Sequence, residues 1–158
     1  MTLLISLVRN PRVKRQLQEE LTRCLPEWFG QRTSNQKYAA QAEILPGYVA
    51  YVDGTAKGLL LLKKHSRISA EIYWLGVDRD CHRSGIGRAL VEAACKAARA
   101  DQARYVFVCA LHPRVSYEPY ERTRRFYEAM GFNCARGAVP GRGQPSGLLY
   151  EVPGTRAS

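Results

Sequence analysis

The ten residues from Cys81 to Leu90, CHRSGIGRAL, carry the clearest chemical signal in the chain. Gly85 and Gly87 flank one apolar residue, Ile86, with Arg83 and Arg88 on either side and Ser84 within the turn. A helix start leaves backbone N–H groups unpaired at the positive end of the macrodipole, and glycines let those groups turn inward with no Cβ in the way. Such a turn suits an anion, above all a phosphate. Residue type excludes two standard phosphate loops. A Walker loop requires Gly-Lys followed by Ser or Thr, whereas Arg88 and Ala89 follow Gly87. A dinucleotide fingerprint requires a third glycine where Leu90 stands, and an acidic residue at a strand end about 20 residues later. Asp101 lies at the end of a helical pattern instead.

Positioning the turn requires a strand before it and a helix after it. Ile68 to Val77 reads as the strand, with Gly76 marking a bulge near its end. Arg88 to Ala100 reads as the helix, with Leu90, Ala94 and Ala97 along one face. Upstream, Leu3 to Val8 is a strand, and Asn10-Pro11 opens a helix whose inner face is Val13, Leu17, Leu21 and Leu25. A second helix spans Ser34 to Leu45. A hairpin then turns at Asp53-Gly54, a dipeptide suited to positive φ. Downstream, Tyr105 to Leu111 is apolar enough for a central strand buried on both sides. Pro119 opens a helix with Thr123, Phe126, Tyr127 and Met130 on one face, and Gly131 ends it. Two short strands follow, near Asn133 to Val139 and Leu148 to Val152. The order β-α-α-β-β-β-α-β-α-β-β predicts an α/β class with a mixed sheet and helices on both faces. Residues 1–153 read as one domain, with a frayed tail over 154–158.

The composition is that of a globular chain, with 46% hydrophobic residues. Lys plus Arg number 24 against 14 acids, so 24 − 14 gives +10 with histidines neutral. The five cysteines, Cys24, Cys81, Cys95, Cys109 and Cys134, show no metal or redox spacing and read as buried free thiols. The apolar start LLISLV is too short for a membrane span and lacks the positive charge of a secretory signal, so a cytoplasmic protein with no membrane partner is expected.

VDRDCHRSGIGRALVEAA, Val77 to Ala94, resembles the pyrophosphate-binding segment of the GNAT superfamily of N-acetyltransferases. RFYEAMGF, Arg125 to Phe132, resembles the family's second hallmark, a helix followed by Gly-Phe that carries a tyrosine toward the coenzyme sulfur. The two segments stand in the family's order with a strand between them. The resemblance implies the GNAT fold, a mixed and mostly antiparallel central sheet, over nearly the whole chain. Two departures stand out. His82 occupies a position that is usually Gln or Arg, and Tyr120 and Thr123 occupy positions that are often Asn and Ala.

The same resemblance implies direct transfer of an acetyl group from acetyl-coenzyme A to a primary amine in a ternary complex, with no metal. His82, Arg83, Ser84, Gly85, Ile86, Gly87 and Arg88 would hold the diphosphate. Leu75 and Val77, at the strand end, would pair with the pantetheine arm, and the Leu75 N–H would face the thioester oxygen. Glu71, fourteen residues before Gly85, matches the catalytic glutamate of the histone-acetylating branch and is the expected base. Tyr127 is the expected acid toward the leaving thiolate. Trp28, Phe29, Tyr38, Tyr117 and Tyr120 would wall the acceptor pocket. The acceptor is a small-molecule or peptide amine, and a homodimer is compatible with the sequence without being required by it. The alternative is an acyl-coenzyme A sensor without catalysis. A nucleic-acid partner is not expected, because RVKRQLQ and RTRR fall on the polar faces of amphipathic helices.

Overall fold

Asn10 starts the first helix by accepting from the N–H groups of Arg12 and Val13 at 3.0 and 3.3 Å, with Pro11 at the position where no N–H is needed. The computed structural model describes residues 1–27, 29, 32–109, 118–136 and 146–151. They form two compact units, Met1–Lys63 with Tyr73–Lys96, and Lys64–Ile72 with Ala97–Ser158.

The first unit contains β1 (Leu3–Val8), α1 (Pro11–Cys24), α2 (Arg32–Ile44), β2 (Gly47–Val52) and most of β3 (Thr55–Lys64). It also holds the second part of β4 (Ser69–Val77) and most of α3 (Ile86–Ala100). Its strand order is β1-β2-β3-β4. β1 and β2 are antiparallel from Leu3↔Val52 to Val8↔Gly47, and β2 and β3 are antiparallel with a bulge at Ala50/Tyr51. The Asp53-Gly54 turn has φ of 50° and 83°, as its residues require. Alternation along β3 separates two packing faces. Leu59 and Leu61 join Leu17, Leu21, Ala42 and Val49 in the core beneath α1 and α2. Gly58 faces α3, and a Cβ there would lie 3.0 Å from Leu90 and 3.4 Å from Ile86.

The inner face of α1 differs from the periodicity by one residue. Val13 is exposed, whereas Lys14 is buried. Lys14 Nζ donates to the carbonyls of Leu45 and Glu43 at 2.6 and 3.4 Å, satisfying groups that the end of α2 leaves open. Its stem packs where Gly47 leaves room. Burial pulls the Lys14 ammonium below the usual lysine value, with Arg9 adding to the shift.

The second unit holds the first residues of β4, β5 (Tyr105–Cys109), α4 (Glu118–Ala129), β6 (Asn133–Arg136) and β7 (Ser146–Glu151). Its strand order is β4-β5-β7-β6. β4 and β5 are parallel from Ser69↔Tyr105 to Glu71↔Phe107, and β7 is antiparallel to both β5 and β6. The fold is thus the mixed, mostly antiparallel sheet with helices that the element order predicts. The helix behind the turn begins at Ile86 rather than Arg88. A single 3-10 turn, Arg79–Cys81, precedes it and is not visible in the hydrophobic pattern. Residues 110–111, 137–139 and 152–158, parts of the predicted strands and tail, lie outside the described residues. The cysteine expectation needs correction: Cys24 and Cys109 are exposed, because each stands at the outer end of its element. Cys95 is a half-buried thiol pushed up to about 12 by desolvation.

Lys14→Met keeps the apolar stem and removes the ammonium, leaving Leu45 O without its donor. The expected loss is about 2 kcal/mol, seen as a fall in Tm of about 5 °C. An unchanged Tm in a calorimetric scan would show that the α2 end is satisfied in another way.

Candidate functional site

The anion turn is assembled by short polar contacts after β4. Asp78 N donates to Lys57 O at 2.8 Å, and Asp78 Oδ1 accepts from Asp80 N at 3.0 Å, capping the 3-10 turn. Lys57 Nζ lies 3.5 Å from Asp78 Oδ2. Arg83 and Gly85 have φ of 65° and 83°, so the chain passes twice through the left-handed region just before α3. Ser84 Oγ donates to Cys81 O and closes the turn. Ala89 N bonds Gly85 O at 3.0 Å, so the N–H groups of Ile86, Gly87 and Arg88 have no carbonyl one turn behind them. Ile86 and Leu90 are buried below the turn, while Arg83, Ser84, Gly85 and Arg88 are exposed. The result is three amides without helical acceptors at the start of a packed helix, with the exposed Arg83 and Arg88 beside them, which is the chemistry of a phosphate site.

His82 does something the sequence does not disclose. Its Nε2 lies 2.8 Å from Val77 O. A carbonyl only accepts, so this nitrogen carries the proton and the ring ties the turn to the end of β4. Leu75 and Val77, two residues apart, share one face of β4 and are half-buried. Gly76 points the other way, and there the Trp74 indole lies over it. Trp74 stacks on Phe29 at 5.0 Å between centroids, and Phe29 meets Tyr38 edge-on at 6.4 Å. Tyr38 in turn meets Tyr73 at 5.5 Å. Arg79 binds both carboxylate oxygens of Glu27 and donates to Cys24 O at 3.3 Å, joining the segment after α1 to the turn. Glu27 holds the Arg79 guanidinium above its usual pKa.

In the second unit, Glu71 is buried at 5% exposure, and its Oε1 lies 2.7 Å from His65 Nε2. No basic side chain of Lys or Arg pairs with it among the described residues. Tyr127 is also buried, with its ring 5.0 Å from Phe126 and 5.2 Å from Phe132. The end of α4 fixes that packing: Phe132 N bonds Tyr127 O at 3.0 Å and Gly131 has φ of 96°, the Schellman geometry the Gly-Phe pair requires.

The structure therefore gathers Leu75, Val77 and residues 82–88 with Phe29 and Tyr38 in the first unit, and sets Glu71 and Tyr127 in the second. Trp28 and Tyr117 lie outside the described residues, and Tyr120 is described only as a position in α4. Sequence reasoning missed His65 and the Arg79–Glu27 pair. The first was within reach, since a four-residue connection between strands brings His65 alongside the start of β4. The second joins residues 52 apart and leaves no local pattern. Among the described residues no cluster could hold a metal ion, and no helix is long and apolar enough to cross a membrane.

Comparison with known proteins gives the class. The model of the acetyltransferase (GNAT) family matches residues 14–132. The chain belongs to the acetyltransferase (GNAT) family. Among solved structures it is similar to a GNAT-family protein from Desulfovibrio desulfuricans, at 20% identity and a TM-score of 0.76, covering 96% of this chain and 99% of that one. It is also similar to the PaiA N-acetyltransferase of Thermoplasma acidophilum in complex with coenzyme A, at 14% identity, TM-score 0.73, and coverage of 96% and 99%. A third is the ribosomal-protein-S18-alanine N-acetyltransferase of Escherichia coli, at 16% identity, TM-score 0.68, and coverage of 96% and 94%. These likenesses are of fold. No curated protein matches the sequence.

Gly76→Ala would place a Cβ 2.3 Å from Trp74 Cη2. The indole must then leave its stack on Phe29, at an expected cost of about 1–3 kcal/mol. Tryptophan fluorescence and Tm should both change, and if neither does, the indole is not held as described.

Proposed function

We propose that this chain transfers an acetyl group from acetyl-coenzyme A to a primary amine, on a small molecule or a peptide, by direct attack in a ternary complex. The observation that carries this reading is the turn of Arg83 to Arg88, whose unpaired amides and positive φ angles suit a diphosphate. Membership of the family supplies the reaction class. A neighbour of the same fold is described with coenzyme A and another acts on an alanine of a ribosomal protein, and both fit an amine acceptor.

In this reading His82, Arg83, Ser84, Gly85, Ile86, Gly87 and Arg88 receive the diphosphate, and the His82 ring also ties the turn to Val77 O. The backbone of Leu75 and Val77 takes the pantetheine arm, and a Leu75 N–H at the thioester oxygen stabilises the charge that develops there. The amine nitrogen attacks the thioester carbon, the N–C bond forms and the C–S bond breaks. Glu71 takes the proton from nitrogen. Tyr127 supplies one to the leaving sulfur, a phenol of pKa about 10 meeting a thiolate whose conjugate thiol is near 8.5. Phe29 and Tyr38 pack on Trp74 and Tyr73 and are only partly buried, and in this reading their exposed edges wall the acceptor. The +10 balance favours capture of the anionic coenzyme and opposes a polycation, so a monoamine or a peptide amine fits better than a polyamine.

A thiol-release assay with acetyl-coenzyme A against amino acids, polyamines, aminoglycosides and peptides tests the reaction. Glu71→Gln should lower kcat by about 10²-fold and Tyr127→Phe by about tenfold or more. Gly85→Ala, strained at φ of 83°, should weaken acetyl-coenzyme A binding by about tenfold. Calorimetry showing coenzyme binding without thiol release from any amine would replace this reading with that of an acyl-coenzyme A sensor.

A further inference from the structure

Glu71 presents its two oxygens differently. Oε1 is taken by His65 Nε2 at 2.7 Å. Oε2 accepts no hydrogen bond among the described residues. The Glu71 side chain keeps a small exposed surface.

His65 is itself held in place. It stands in the connection between β3 and β4, where its N–H and that of Ser66 both bond Ser69 O at 3.0 and 3.3 Å. A bond of 2.8 Å between Ser66 Oγ and Ser69 Oγ tightens the same turn. The imidazole rests 5.1 Å from the ring of Phe107, the residue paired with Glu71 across β4 and β5. Backbone and ring contacts thus fix where Nε2 points. The histidine side chain remains 29% exposed, against 7% for that of Glu71.

We propose that His65 is a positioning residue for Glu71, its Nε2–H holding Oε1 so that Oε2 alone is offered to the proton of the incoming amine. The inference rests on the reading of Glu71 as the base. A carboxylate removed from water needs a donor, and its terminal torsion is broad, so an unheld carboxylate would be both costly and badly aimed. Lys or Arg in this place would hold it too, but with a permanent positive charge that opposes proton uptake. An imidazole can donate the same hydrogen bond from Nε2–H without carrying a permanent charge. The proton then travels from the amine nitrogen to Oε2 as the N–C bond forms, while the Nε2–H remains on His65.

The test is a double-mutant cycle on the full chain, read by kcat and by KM for acetyl-coenzyme A with whichever amine gives the fastest thiol release. His65→Ala should lower kcat by about tenfold, the cost of a misaimed group, and leave KM for acetyl-coenzyme A unchanged. His65→Gln keeps an N–H donor and should regain most of the loss. In the Glu71→Gln background His65→Ala should cost nothing further, because its effect runs through the carboxylate. A merely structural histidine would cost the same in both backgrounds, and that result overturns the proposal. If Glu71→Gln is slow while His65→Ala is not, the base stands and the role of His65 alone falls. If Glu71→Gln keeps full turnover, the base assignment itself fails and takes this inference with it. A readout on the unaltered protein guards against a variant that does not fold: imidazole ¹⁵N spectra should show Nε2 of His65 protonated. An Nδ1–H tautomer would overturn the proposal.

Discussion

The turn between β4 and α3 is held in one conformation by the apolar floor below it. Ile86 and Leu90 are buried, and they fit because Gly58 on β3 presents no side chain where they land. Buried apolar contact is not directional, but it is dense, and a packed helix start has little freedom to rotate. The polar contacts then set the details. Asp78 caps the short 3-10 turn, His82 ties the turn back to Val77, and Ser84 closes it on Cys81. With these in place, the left-handed backbone at Arg83 and Gly85 is the conformation the surroundings require. Arg83 holds this conformation although it has a Cβ.

Much of this was legible in the sequence, and the reasons are local. Asn10-Pro11, Asp53-Gly54 and Gly131-Phe132 each specify a backbone conformation by residue type, and each adopts it. The glycine turn at Gly85 likewise takes the left-handed conformation that its residue type allows. What escaped was set by tertiary context. Periodicity alone put Val13 inside, yet Lys14 is buried because a carbonyl at the end of α2 waits for its ammonium. His82 reaches back to Val77 O, a contact that no local pattern announces. The partner of Glu71 could not be inferred from composition, since 24 basic residues offered themselves and a histidine took the place.

β4 explains why a single strand carries so much of the chemistry. Its early residues lie beside β5, where Glu71 is enclosed opposite Phe107. Its last residues lie beside β3 and lead into the turn. Within the first unit, side-chain alternation puts Leu75 and Val77 on one face, while Trp74 and Gly76 fall on the other. The indole over Gly76 braces that opposite face, so the strand end is held from behind while its front is left half-open.

Electrostatics adds a constraint of a different range. Most acids of the chain are spent in ion pairs with nearby bases, such as Glu27 with Arg79, Asp101 with Lys64 and Glu43 with Arg15. Surface pairs of this kind contribute little individually, but they remove negative charge from the field felt at a distance. Arg83 makes no ion pair among the described residues, and Arg88 reaches Glu92 only at 3.9 Å. The guanidinium of Arg83 thus has no close carboxylate partner among the described residues, and that of Arg88 only a loose one. A ligand with several phosphates is drawn by the net positive charge of the chain, and a cationic amine is repelled by the same field. The two substrates of the proposed reaction are thus sorted by sign: the first is attracted from a distance, and the second must bind through short contacts once the field has been partly cancelled. Binding of the anionic coenzyme supplies that cancellation, which makes an ordered approach, coenzyme before amine, the sequence of events that costs least.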